Sequence, residues 1–189
     1  MDNNKKIIKS FKVQEELNPI FWEERDGTYK LKEDIRQALL NVVEDYANFV
    51  DVDLDIEDIT LTGSLSNYNW SDFSDVDLHI IMDFEGNTSS LLKKYLDSRR
   101  IIWNSLRDIK VKDFDVEIYV QDINEPHFAS GVYSVMYDDW IAEPKYVDFT
   151  IEPKKILTKS KGWMDKIDRI EDDSKRKDPE RVLENISLL

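Results

Sequence analysis

The residues best suited to chemistry lie between Thr62 and Met82, TGSLSNYNWSDFSDVDLHIIM, and in the later run DFDVEIYV at 113–120. Asp75 and Asp77 stand two apart in an alternating stretch, so on a strand they point to the same side about 6.5–7 Å apart. A third carboxylate, Glu117 or Asp115, comes from the second run. If that run lies beside the first at the usual strand spacing of about 5 Å, three acidic groups meet on one sheet face. Carboxylates that close repel one another unless positive charge sits among them. Two Mg²⁺ (or Mn²⁺) ions supply such charge and accept ligation by oxygen alone. Upstream, Gly63-Ser64 at a strand end allows close backbone approach and offers N–H groups and a hydroxyl to a phosphate. A phosphate cradle followed, after ten intervening residues, by a two-metal acidic cluster fits in-line phosphoryl or nucleotidyl transfer. In that chemistry one metal activates the attacking hydroxyl and the other steadies the leaving phosphate.

Several elements must hold these residues in place. From Asp75 to Met82, Val76, Leu78 and Ile80 take one face and Asp75, Asp77, His79 and Ile81 the other, which is the period of a strand. From Phe114 to Val120, Phe114, Val116, Ile118 and Val120 oppose Asp115, Glu117 and Tyr119 in the same way. Ile59 to Thr62 reads as a short strand running into Gly63, and Leu65 to Trp70 as a turn or short helix. Apolar residues at three- and four-residue intervals predict a helix of about five turns from Leu31 to Phe49. After a break at Gly86 and Asn87, with Ser89 or Ser90 as cap, Leu92, Tyr95, Leu96, Ile102, Trp103, Leu106 and Ile109 predict a second. Gly131 to Tyr137 is a further strand, closed by Asp138, Asp139, Trp140 and Pro144. The expected class is α/β (α+β), a mixed sheet with helices packed on one face.

Around this centre, residues 1–30 read as an N-terminal arm, basic at Lys5, Lys6, Lys9 and Lys12 and docking through Phe21 and Trp22. Residues 31–150 form the main domain. Residues 151–189 form a helical extension, with one helix on Ile156, Trp163, Ile167 and Ile170, a charged hinge at EDDSKRKDP, and a last helix starting at Asp178-Pro179.

The composition narrows the chemistry. The 189 residues include no cysteine and only two histidines, which removes thiol nucleophiles, thiolate zinc sites and His-rich metal cages. A formal charge of -14, from 26 Lys plus Arg against 40 Asp plus Glu, argues against tight wrapping of extended double-stranded DNA, which needs many basic contacts. Hydrophobic residues at 41% and aromatics at 11% suffice for a folded core despite that charge. No apolar run approaches the roughly 18 residues of a membrane span, and the opening MDNNKKIIKSFKVQEE lacks the apolar centre of a secretory signal, so the expectation is a cytoplasmic protein with no membrane partner. No G-x-S-x-G elbow, P-loop or G-x-G-x-x-G fingerprint occurs.

The run Gly63-Ser64, ten residues, Asp75-Val76-Asp77, then Val116-Glu117-Ile118 resembles the nucleotidyltransferase superfamily of the DNA polymerase beta type. With Asn67, Tyr68, Trp70, Ser71 and Asp72 between the halves it looks like the small stand-alone members seen in bacteriophage genomes. The likeness covers roughly residues 30–125. It implies a polymerase-beta-like nucleotidyltransferase fold in which Asp75 and Asp77 are catalytic ligands shared by two Mg²⁺ ions, and Glu117 completes the site that activates the acceptor. Gly63 and Ser64 would hold the β and γ phosphates of an NTP. The implied reaction moves a nucleoside monophosphate to a hydroxyl of a small molecule, an RNA end or a protein, releasing pyrophosphate, in the cytoplasm of a host if the chain is phage-encoded. The alternative is a catalytically inactive member that binds a nucleotide or a partner as a regulatory module. Because Asp115 shares the face of Glu117, a shift of one pair would exchange the two.

Other polar and aromatic residues have plainer readings beside functional ones. His79 continues the acidic face as a polar residue on a half-exposed strand, and His127 reads as a loop residue. Tyr133, Tyr137 and Trp140 can stack a base, but aromatics at strand alternation are more often core. Arg99, Arg100 and Arg107 either approach a triphosphate or solvate a helix face. Lys154, Lys155, Lys159 and Lys161 are the place to look for a nucleic-acid contact, although most such runs are simply solvated.

Overall fold

The two alternating runs become the central strands. In a computed structural model of the chain, which describes residues 13–85, 89–126, 128–147, 158, 160–164 and 167–168, the elements in chain order are β1 (Trp22–Arg25), β2 (Thr28–Leu31), α1 (Glu33–Val50), β3 (Ile56–Thr62), a 3₁₀ turn (Ser64–Ser66), β4 (Val76–Met82), α2 (Ser89–Leu106), β5 (Lys110–Val111), β6 (Phe114–Asp122), β7 (Val132–Ser134) and β8 (Asp139–Ala142). Six strands form one sheet in the order β5-β6-β4-β3-β7-β8. The β4–β6 pair is parallel, and the other pairs are antiparallel. A mixed sheet with helices defines an α+β protein. Among the described residues no helix is long and apolar enough to cross a membrane.

The chain divides into two compact units. Phe11–Asp148 carries the sheet, and Met1–Ser10 with Phe149–Leu189 makes the other. In the second, described residues 158, 160–164 and 167–168 are helical and exposed. The expectations at Lys5, Lys6, Lys9, Lys12, Gly86, Asn87, His127, Lys154, Lys155, Ile156, Lys159, Ile170, the hinge EDDSKRKDP and the last helix lie outside the described residues.

The apolar faces of β4 and β6 supply Val76, Leu78, Ile80, Val116, Ile118 and Val120 to one core, joined by Ile35, Leu39, Val42, Val43 and Tyr46 of α1. Helix α2 contributes less than its sequence stripe suggests. Leu96 and Trp103 are buried, whereas Ile102 and Leu106 are 41% and 78% exposed, and Ile109 falls beyond the helix end. The reason lies in what α2 packs against. Beyond the two-residue β5, the edge of β6 is covered by the helix itself. The Asn104 side-chain amide donates to the Ile118 carbonyl (3.0 Å) and accepts from the Ile118 N–H (3.2 Å). A helix bound to a strand edge through a polar side chain turns only a narrow stripe inward.

Residues 21–31 contain a hairpin that hydrophobic alternation does not announce. Its two-residue turn is Asp26-Gly27, with φ of 54° and 81°, the paired left-handed geometry favoured between twisted strands. Phe21 and Trp22 are buried. The Trp22 indole stacks on Trp140 (4.7 Å, 16°) and meets Tyr133 edge-on, while its Nε1 donates to the Leu65 carbonyl at 2.7 Å. Trp140 therefore belongs to a strand, β8, opposite Tyr133, not to a closing loop. Trp22→Phe is expected to destabilise the fold by about 2 kcal/mol, by leaving a buried carbonyl unpaired and a small void, measured as a lowered urea midpoint with unchanged m-value.

Candidate metal centre

The strand register assembles the acidic group. In the parallel β4–β6 ladder Asp77 stands opposite Glu117, and across β3–β4 Thr62 stands opposite Asp77. One carboxylate oxygen from each of Asp75, Asp77 and Glu117 lies within 4.8 Å of the others. Asp115, on the same face of β6 by alternation, instead stands opposite Lys110 of β5 and forms an ion pair with it. The acid beside Asp77 is thus Glu117, as the register dictates.

Gly63 is pressed against this group. Its φ of 74° and ψ of -159° fall in a region essentially reserved for glycine. A Cβ added there would lie 1.7 Å from Oδ2 of Asp77. The chain from Gly63 to Asp75 is folded back by serine hydroxyls. Ser64 Oγ donates to Ser74 Oγ at 2.7 Å, and Ser74 Oγ accepts from the Ser71 N–H at 3.0 Å. The Ser74 N–H donates to the Ser71 carbonyl at 3.0 Å. This turn delivers Asp75 beside Asp77.

Burial pushes the Asp77 carboxyl up to about 6, with the nearby Asp75 and Glu117 charges adding to the effect. Among the described residues no ion pair reaches any of the three carboxylates. Lys110 of β5 pairs with Asp108 and Asp115, and Arg100 of α2 with Asp97. A partly buried group of three carboxylates with only oxygen donors suits a hard divalent cation, and these residues could hold one.

The remaining candidates separate clearly. Tyr133 is buried, and Trp140 packs against Trp22 and Tyr133, so both serve the core, whereas Tyr137 is 69% exposed. Arg99 lies 3.9 Å over the Phe49 ring and donates to its carbonyl, and Arg107 lies 4.1 Å over Trp103. Both pack on core aromatics away from the acidic face. Arg100 lies 4.9 Å over Tyr119, at the edge of that face. Lys161 is exposed. His79 is held by polar partners, its Nδ1 2.7 Å from Gln121 Oε1 and its Nε2 3.3 Å from Thr62 Oγ1. Gln121 escapes a reading that ends β6 at Val120. Extending its alternation by two residues places Gln121 on the face of Glu117 and Tyr119.

Comparison with protein-family models, with curated proteins and with solved structures finds no match to this chain. Fold and site together define an α+β protein with a candidate carboxylate metal centre on the polar face of its central strands.

Proposed function

We propose that the protein is a nucleotidyltransferase with a polymerase-beta-like arrangement, moving a nucleoside monophosphate from an NTP to a hydroxyl acceptor with release of pyrophosphate. The observation that supports this reading most strongly is the convergence of Asp75, Asp77 and Glu117 within 4.8 Å beside a glycine whose missing side chain makes room for Asp77. The sequence resemblance assigns these four positions, together with Ser64. Asp75 and Asp77 would hold Mg²⁺ or Mn²⁺, with Glu117 completing the site. A bound divalent ion there supplies Lewis acidity toward phosphate oxygens and lowers the pKa of a hydroxyl.

The chain's own residues do the rest. Gly63, half-buried at the strand end with Asp77 against its Cα, marks where a triphosphate tail would approach the metal. Ser64 lies in the same turn, and its hydroxyl, which donates to Ser74 in this structure, would turn to donate to a phosphate oxygen instead. The partly buried setting of Asp77 limits competing water and strengthens its interaction with a cation.

The test is incubation of the full chain with each of four α-labelled NTPs and Mg²⁺ or Mn²⁺, following pyrophosphate and the label. Metal-dependent release with at least one NTP is expected. A folded protein that binds an NTP yet releases no pyrophosphate, alone or with host extract, would instead be a nucleotide-binding regulatory module.

A further inference from the structure

Beside the three carboxylates the same sheet face opens into a cavity of about 420 Å³, within the range that accommodates a small organic ligand. Along the strands its place is defined. From the Gly63 end come first the Gly63–Ser64 turn and Asp75, then Thr62, Asp77 and Glu117, then His79 and Tyr119 one pair further in, and then Gln121 opposite Ile81. Thr62, His79, Tyr119 and Gln121 line the cavity. The carboxylates therefore lie between the glycine turn and the cavity.

The walls are ordered and chemically distinctive. Gln121 is 4% exposed. Its amide carbonyl meets His79 Nδ1 at 2.7 Å, and its Nε2 donates to the Glu125 carbonyl at 3.3 Å. The Tyr119 ring sits between the Arg100 guanidinium at 4.9 Å and the His79 ring at 5.1 Å. Phe128 also lines the space, and at 94% exposure it has no packing role in the fold. An aromatic ring left in water at the mouth of a cavity offers a stacking surface. Among the described residues no lysine or arginine lines the cavity. The acid at its rim, Glu125, is paired with Lys93, and the carboxylate group next door is negative.

We propose that this cavity is the acceptor site, and that the acceptor is a small neutral or cationic molecule bearing a ring and a hydroxyl. The inference rests on the nucleotidyl-transfer reading above. In-line displacement requires the nucleophile to enter opposite the leaving group. With the triphosphate tail at Gly63–Ser64, the entering side is the cavity. The acceptor's hydroxyl oxygen bonds to the α phosphorus, and the bond from that phosphorus to the oxygen bridging to the β phosphate breaks. Pyrophosphate leaves with the electron pair, and the hydroxyl proton passes to solvent. A nucleic-acid end is disfavoured because its phosphates would meet acidic groups, with none of the basic contacts that such binding needs among the described residues lining the cavity.

Ligand-observed NMR with the full chain and a collection of nucleosides, amino sugars and aminocyclitols, each beside its phosphorylated counterpart, tests the proposal. Neutral or cationic members should bind, and their phosphorylated counterparts should not. Ala129→Trp, at an exposed position lining the cavity, should weaken the best ligand at least about tenfold by filling the space. Phe128→Ala should weaken it about fivefold by removing the stacking ring. Circular dichroism establishes that both variants fold. In host extract, label from the NTP should appear in the small-molecule fraction. Preference for the phosphorylated members, full binding by both variants, absence of any ligand, or label in RNA or protein overturns the acceptor assignment. Failure of pyrophosphate release with every NTP, in buffer and in host extract alike, overturns the underlying reading instead.

Discussion

Asp77→Asn is expected to stop nucleotidyl transfer and, in the same molecule, to raise the stability of the metal-free fold. Both effects follow from one carboxylate held beside Asp75 and Glu117. If it is the shared metal ligand of the proposed reaction, its loss should lower turnover at least about 10³-fold, the scale of several kcal/mol of lost transition-state stabilisation. Its burial and its two acidic neighbours hold its pKa near 6, against 3.8 for the free side chain. Between those values the folded state binds more protons than the unfolded state. Stability of the metal-free protein therefore falls as pH rises from about 4 to above 6, and the cost is fully present at pH 7. Because Asp77 is partly open to solvent, screening reduces the gain on replacement by Asn to about 1–2 kcal/mol, or about 2–6 °C in Tm for a chain of this size. The two proteins should converge in stability below about pH 4, where Asp77 is protonated in both states. Added Mg²⁺ should raise the Tm of the wild type through linkage and leave the Asn variant unmoved. A variant less stable than the wild type at pH 7 without metal would mean that this carboxylate makes a favourable contact and is not a strained ligand awaiting a cation.

The site was legible in the sequence to the extent that strand periodicity carries it. Alternation put Asp75 and Asp77 on one face and Glu117 on the face of its own strand, since a side-chain period of two leaves little choice once the apolar partners are buried. Periodicity does not give register between strands, which is a long-range property. Only the pairing of Asp77 with Glu117, and of Asp115 with Lys110, distinguishes the two acids. The β1–β2 hairpin was hidden because its strands are four residues each, too short for a pattern, although Asp26-Gly27 is a turn signal in its own right. The stripe on α2 overstated burial because Asn104, a polar residue with no periodic meaning, binds the helix to the β6 edge. Gly63 is a different case. Its sequence context suggested close approach of a phosphate, and the fold adds a second occupant of the same space, the Asp77 carboxylate.

Gly63→Ala should consequently be more damaging than any other single methyl group added to this site. The new Cβ would stand 1.7 Å from Oδ2, 2.7 Å from Cγ and 3.2 Å from Cβ of Asp77. A shift of the carboxylate tip alone is insufficient, and Asp77 must leave its rotamer. The backbone also holds a φ of 74° that alanine adopts only under about 1–3 kcal/mol of strain. Displacing Asp77 from Asp75 and Glu117 should lower turnover at least about 100-fold and weaken metal binding, even in molecules that remain folded. Total destabilisation should reach about 3–5 kcal/mol, strain and overlap together. A double-mutant cycle separates the two parts. With Asp77→Gly the overlap is relieved but the strain at residue 63 persists, so adding Gly63→Ala to that background should cost only about 1–3 kcal/mol. The coupling between the positions should be about 2 kcal/mol. Equal cost in both backgrounds would mean that Gly63 is required by its backbone angles alone and that Asp77 does not occupy the space where its side chain would be.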